Sequence, residues 1–287
     1  MNGKIVFLSF VVALSGCASQ QLSMADIGPV KEFQLIFPND PFSSRPVGYG
    51  EVSAAIVDSL KSHTRYPFSE RWNGSFYTFH GMYAQILPNN TILVCYGTGD
   101  NMSRNQLGYQ YSKYQNVVKF FVRVNPVSSN GKVVATIDSS AQIMNGTNAL
   151  GGKFLPLGSV SELEADLTNA LSSKDTVVVQ RKVNISGEVN NHYNPDSTYA
   201  NFLRKLGRYD IRGKESSAID VRKEVAYNFK VGNVVNPLYV TVYPYRNGSK
   251  VEYKSMVSYF LRANNTVSIS PYDISNFKKN IEKIAND

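Results

Sequence analysis

The sequence predicts an α+β protein of two modules, each an antiparallel sheet with helices packed on one face. Three observations carry this. The chain has 287 residues, 43% of them hydrophobic and 12% aromatic, enough for substantial cores and more than one average domain. Runs rich in β-branched and aromatic residues are joined by connections too short for parallel crossovers, so neighbouring strands should pair antiparallel. Segments with apolar residues at helical spacing accompany each group of strands. The expected division is a leader over residues 1–16, a tether over 17–46, a first module over 47–173 and a second over 174–287.

The tether reading rests on a polar and proline-bearing stretch that ends in Pro38, Pro41 and Pro46. Short apolar pieces such as Phe33 and Leu35-Ile36-Phe37 could still dock as an edge strand. In the first module Val52, Ala55, Ile56 and Leu60 mark one face of a helix. Phe76 to Leu87 reads as a strand, Pro88-Asn89-Asn90 as a turn, and Thr91 to Tyr96 as the returning strand. Gln115 to Val124 and Val133 to Ile143 follow. Ser159 with Glu162 gives a capping box for a second helix, whose inner face is Leu163, Leu167, Ala170 and Leu171.

The second module opens with a strand near Thr176 to Val189. Asn194-Pro195 supplies an N-cap and a proline at the first helical position. Tyr199, Phe202, Leu203 and Leu206 are the stripe of that helix. Val225 to Val231, Leu238 to Tyr245 and Val251 to Leu261 are strands, the last two joined by Arg246-Asn247-Gly248-Ser249, whose Asn-Gly pair signals a hairpin. Ser270-Pro271-Tyr272-Asp273 opens a final helix that faces inward through Ile274, Phe277, Ile281 and Ile284. Tyr239, Tyr243 and Tyr245 alternate along one strand and are assigned to core and cross-strand packing; exposed, they would serve protein docking.

The first twenty residues carry an address. Lys4 precedes Ile5 to Gly16, twelve residues without a charge, too few for the roughly 20 that span a bilayer and suited to a signal peptide. The stretch ends in Leu14-Ser15-Gly16-Cys17, which resembles the lipobox of bacterial lipoproteins. The resemblance implies cleavage before Cys17 and acylation of its sulfur and new amino group. Two or three acyl chains, at about 0.8 kcal/mol per buried methylene, make a lasting membrane anchor. In enteric lipoproteins Asp after the cysteine favours inner-membrane retention, so Ala18 implies the outer membrane; the periplasmic side is the expected face, though the sequence leaves the surface-exposed side open. The element order is also loosely similar to helix-grip-like modules of envelope-assembly lipoproteins, without a shared motif.

Charge is uneven. The net +8 divides into +1 for residues 1–173 and +7 for residues 174–287. Arg204, Lys205 and Arg208, followed by Arg212 and Lys214, form a candidate binding patch for envelope proteins or an anionic surface. Solvated cations near a helix C-terminus would account for the same residues. Nucleic acid is not an expected partner outside a DNA-transfer machine.

No motif for catalysis emerges. Ser129-Asn130-Gly131-Lys132 has the spacing of a serine acyltransferase motif but sits where a turn between strands explains it. Gly97-Thr98-Gly99-Asp100 lacks the third glycine of a dinucleotide loop. Two cysteines and three histidines exclude a disulfide framework and leave little for a metal centre, so no cofactor is expected. With Cys17 acylated, Cys95 is a lone thiol in an apolar run, read as a small buried hydrophobe. His63, His80 and His192 show no ligand spacing. The expected function is a non-enzymatic, lipid-anchored structural or assembly component acting through protein–protein contacts. A carrier gripping a hydrophobic ligand between sheet and helix, and an envelope hydrolase, are the alternatives.

Overall fold

The computed structural model describes residues 21–63, 68–72, 75–99, 115–145, 157–206, 222–231 and 234–287. The first sheet holds β1 (Gln21–Asp26), β2 (Lys31–Ile36), β3 (Phe68–Trp72), β4 (Ser75–Leu87), β5 (Thr91–Gly99), β6 (Gln115–Val124), β7 (Lys132–Ile137) and β8 (Ser140–Asn145), with α1 (Tyr49–His63) between β2 and β3 and α2 (Leu157–Ser172) after β8. The second sheet holds β9 (Val178–Asn191), β10 (Lys223–Val231), β11 (Val234–Tyr245), β12 (Gly248–Arg262) and β13 (Thr266–Val267), with α3 (Pro195–Leu206) after β9 and α4 (Pro271–Ala285) last. All pairings within the sheets are antiparallel, and the chain is an α+β protein as its patterning predicts.

The two sheets share one plan. In the first, β3 to β6 form a meander, and β7 and β8 run together against β6 with a break at Asp138-Ser139. The first two strands then close beside the last two, β1 on β8 and β2 on β7. In the second, β10, β11 and β12 form the meander, and the opening strand β9 lies along β12 over its whole length, from Val178 opposite Arg262 to Asn191 opposite Ser249. Each opening strand is therefore placed by a partner far along the chain.

The tether expected over residues 17–46 is not what the described residues 21–46 form. Gln21–Asp26 and Lys31–Ile36 are strands, Leu35 and Phe37 are fully buried, and Asp40 is shut inside the molecule. Alternation of Phe33, Leu35 and Phe37 supplies the inward face, and the prolines that suggested a linker instead end β2 and turn the chain toward α1. Ile36 also joins the two sheets. Its N–H donates to the Ala263 carbonyl (2.9 Å), and its own carbonyl accepts from the Asn265 N–H (2.8 Å).

Helix α1 buries all four predicted positions and also Ser53, Val57 and Ser59, because it packs against α2, β4 and β9 rather than one neighbour. The Ser59 hydroxyl donates to the Ala170 carbonyl (3.0 Å) and pairs with Thr176 (2.8 Å), fixing α1 to the end of α2. The inner stripe of α2 is buried as predicted, but the helix starts at Leu157, two residues before the expected Ser159 cap position. Glu164 of α2 is instead buried against Lys31 of β2. Asn194 caps α3 through the Ser197 N–H (2.8 Å), and Ser270 with Asp273 forms the capping box of α4. Of the predicted α3 stripe Phe202 is fully buried, and Thr198 joins it.

Two glycines on β9 and β12 make close approaches. At Gly187, directly opposite Tyr253, a Cβ would overlap the tyrosine ring, which is 4% exposed and packs edge-on to Phe277 of α4. Gly187→Val is expected to cost about 1–3 kcal/mol by overpacking, read as a lower urea midpoint at unchanged slope. Gly248 opens β12 and lies against the Asn191 carbonyl, leaving Arg246 and Asn247 as the hairpin turn, with Arg246 at φ 52°. The predicted hairpin is present, its turn falling within the expected Arg246 to Ser249 connection.

Candidate functional site

The predicted basic patch is only partly placed. Arg204 and Lys205 lie in the last turn of α3. Arg204 is exposed and donates to the Asn201 side chain (3.1 Å). Lys205 forms an ion pair with Asp287 at the end of the chain, so part of its charge is answered internally. Arg208, Arg212 and Lys214 lie outside the described residues, as does Cys17.

A more organised surface covers the face of the second sheet turned away from its helices. Strand alternation sends Leu238, Val240 and Val242 of β11 inward, all at most 1% exposed, and sends Tyr239, Thr241 and Tyr243 outward. Tyr239 and Tyr245 are thus not core residues, contrary to the packing assignment; they are 48% and 37% exposed. Each tyrosine meets a cation. Lys254 lies 6.0 Å from the Tyr239 ring centroid, Lys250 5.8 Å from Tyr243, and Arg246 5.2 Å from Tyr245. Lys250 also bridges Glu188 (2.8 Å) and Glu252 (3.1 Å), and Tyr243 donates to Glu252. Hydrogen bonds from Lys250 to Glu188, Tyr243 and Glu252 raise the lysine pKa, and those from Tyr243 and Lys250 lower that of Glu252. Met256 and Val235 continue the surface at 47% and 60% exposure. A shallow cavity of about 400 Å³ opens between Tyr239, Pro237, Met256 and Asn184. The period-two pattern from 238 to 245 could have located this ladder, because the apolar aliphatic residues already occupy the other parity.

The principal buried charge cluster lies at the junction of the modules. Arg181 of β9 uses every guanidinium N–H. Nε and Nη2 donate to the two Glu51 oxygens (3.1 and 2.8 Å), Nη1 to Asp40 (2.6 Å) and the Arg45 carbonyl (2.8 Å), and Nη2 also to the Pro46 carbonyl (2.9 Å). The Tyr259 hydroxyl donates to the Asp40 carboxylate (2.8 Å). Burial disfavours the charged form of both carboxylates, but hydrogen bonds from Arg181 and from the backbone N–H groups of Phe42 and Gly48 outweigh it and hold both pKa values below normal. Burial acts first on Tyr259 too, and with Asp40 beside it the phenol pKa is raised. With both carboxylates committed to the guanidinium, the cluster is a clamp between residues 40–51 and the second sheet. It offers no free base.

The remaining described candidates occupy turn, helix-end and strand positions. Residues Ser128 to Lys132 form a turn closed by the Ser128 hydroxyl, and at Gly131, with φ 75°, a Cβ would run into the Phe37 carbonyl. His63 Nδ1 contacts the Ser59 carbonyl (2.9 Å), and His192 is an exposed turn residue. The His80 side chain and Asp100 lie outside the described residues. Cys95 is half-buried, and burial pushes its thiol pKa up, opposite to the shift a nucleophile needs. Among the described residues no three potential metal ligands stand together, and no helix is long and apolar enough to cross a membrane.

No family model matches the chain, and no curated protein matches it in sequence. Two solved structures align over most of its length. DynU16, a protein of the dynemicin biosynthetic locus, is 9% identical over 89% of this chain and 93% of its own, with a TM-score of 0.21. The di-domain ARO/CYC protein BexL from the BE-7585A biosynthetic pathway is 8% identical over 91% of this chain and 98% of its own, also with a TM-score of 0.21. At that score neither likeness bears on function.

Proposed function

We propose that the chain is a lipid-anchored protein of the outer membrane, facing the periplasm, that works as a structural or assembly component through protein–protein contacts. The observation that carries this reading is Cys17 at the end of a lipobox-like leader. The fold adds a geometric consequence. Only Ala18, Ser19 and Gln20 separate Cys17 from β1, and four residue steps span at most about 15 Å. The end of the first sheet at Gln21 would then stand next to the lipid surface. From there β1 and β2 carry the chain to Ile36, up to about 50 Å away at roughly 3.3 Å per residue, where it meets the second sheet. The basic module would be held away from its own bilayer, and its tyrosine-lysine face would be offered to proteins.

Between sheet and helices the second module is filled by Val240, Val242, Val251, Tyr253, Val257 and Phe202, all at most 4% exposed. This favours docking over the carrier alternative. The test is Cys17→Ser in the producing cell. The expected result is transfer of the protein from the membrane to the soluble fraction, with loss of acyl mass from its N-terminus. Unchanged fractionation, or a wild-type protein without acyl mass, would refute the anchor. Crosslinking in intact membranes should then capture envelope proteins on wild-type chain and not on the released variant.

A further inference from the structure

We infer that β9 is a self-association edge, on which a second copy of this chain adds its own β9 in antiparallel register. The inference is independent of the lipid anchor. Strand β9 is 14 residues long, pairs with β12 without a bulge, and contains no proline. Among the described residues no backbone hydrogen bond reaches its outer edge. Proteins blunt such edges with prolines, bulges, short strands or charges; β9 has no proline or bulge and is long, and its charges, inward Arg181 apart, are the Lys182 and Glu188 that the pairing below matches.

The charge pattern selects the partner and the register. On the open face β9 presents Gln180, Lys182, Asn184, Ser186, Glu188 and Asn190. With Ile185 on a two-fold axis, Lys182 stands opposite Glu188 of the partner subunit, and the symmetric pair repeats the contact. Asn184 then faces Ser186 of the partner subunit. Sliding the register by two residues either way leaves Lys182 opposite a neutral side chain. Pairing Lys182 with its own symmetry mate would oppose like charges. Lys182 and Glu188 are both exposed, and Glu188 already holds Lys250 of its own chain, so pairing would extend an existing charge row. A two-fold contact of this kind closes on itself.

The cavity argues for the same arrangement. It lies beside β9 between Asn184, Ser186, Met256, Lys254, Pro237 and Tyr239. An axis through Ile185 passes between Asn184 and Ser186, so two copies would join their cavities into one groove across a continuous sheet.

The experiment uses the full chain carrying Cys17→Ser, studied by sedimentation equilibrium up to about 100 μM. The expected result is a monomer–dimer equilibrium weakened by salt. Lys182→Glu or Glu188→Lys, each reversing two symmetric pairs, should weaken the dimer about tenfold. The double variant K182E/E188K should restore it to within about threefold, with circular dichroism unchanged throughout. A chain that stays monomeric at the highest concentration overturns the inference. So does a dimer indifferent to both reversals, or one that the double swap does not rescue.

Discussion

Arg181→Met is expected to destabilise the protein by about 3–5 kcal/mol, the usual cost of leaving buried charges without their partner. Methionine keeps much of the arginine's volume, so the loss reports electrostatics and hydrogen bonding rather than a cavity. Five donor contacts disappear at once; Asp40 loses its only cation partner among the described residues, and Glu51 keeps only the longer, exposed ion pair with Arg45 (3.5 Å). For a chain of this size the shift in Tm is on the order of 10 °C. The effect should depend on pH with a definite sign. In the wild type the folded pKa values of Asp40 and Glu51 lie below their ordinary values of 3.8 and 4.5. The stability they contribute is complete above those ordinary values and is lost as pH falls through the depressed ones. In the variant the carboxylates, deprived of Arg181, gain from protonation, so acid relieves the defect. Urea unfolding at pH 7 and pH 4 should show the gap between wild type and variant narrowing at the lower pH. A gap of equal size at both would mean that the clamp acts through packing alone.

Asn191→Leu is expected to cost about 2–4 kcal/mol, through several buried groups left unsatisfied. Asn191 is 7% exposed and ties four parts of the second module together. Its amide nitrogen donates to the Ala285 carbonyl (2.7 Å) at the end of α4 and to Thr198 (3.1 Å) in α3. Its oxygen accepts from Ser249 of β12 (2.8 Å) and from the Tyr193 N–H (3.0 Å). Thr198 and Ser249 also bond to each other (2.8 Å), so a smaller loss of about 1–2 kcal/mol is expected for Thr198→Val. Asn191→Asp should not rescue, because a carboxylate would face the Ala285 carbonyl with no proton to donate. Chemical denaturation of the three variants, compared at constant slope, checks the ranking.

Legibility followed sequence distance. Helix α1 could be read because its stripe repeats within four residues, and α4 because Ser270, Pro271 and Asp273 are neighbours. The turn at Pro88 to Asn90 and the strands on either side were equally local; Asn90 adopts the positive φ of 57° that such turns use. Strands β1 and β2 were obscured because their partners, β8 and β7, lie about 100 residues or more away. Their own stretch is polar enough to pass for a linker. The Arg181 clamp has the same origin, with Asp40 and Glu51 some 130 to 140 residues upstream. One trace of it is local: Arg181 shares strand parity with Val179, Val183 and Ile185, and a lone cation on an apolar face calls for a buried partner. The open tyrosine face was legible only as the alternative to packing; the aliphatic residues of β11, on the other parity, already fill the interior and leave the tyrosines outside.

The closure of each sheet by its first strand has a bearing on how the protein matures. A chain that emerges from its amino end must hold β1 and β2 without neighbours until residues past 130 have followed, and β9 until residues near 250 have. Neither sheet can be completed as the ribosome or export channel delivers it. Long-range closures of this kind slow folding and prolong the life of sticky intermediates. Until then the chain exposes unpaired strand edges, and deleting the last dozen residues of β12 would strand β9 even though β9 itself is intact.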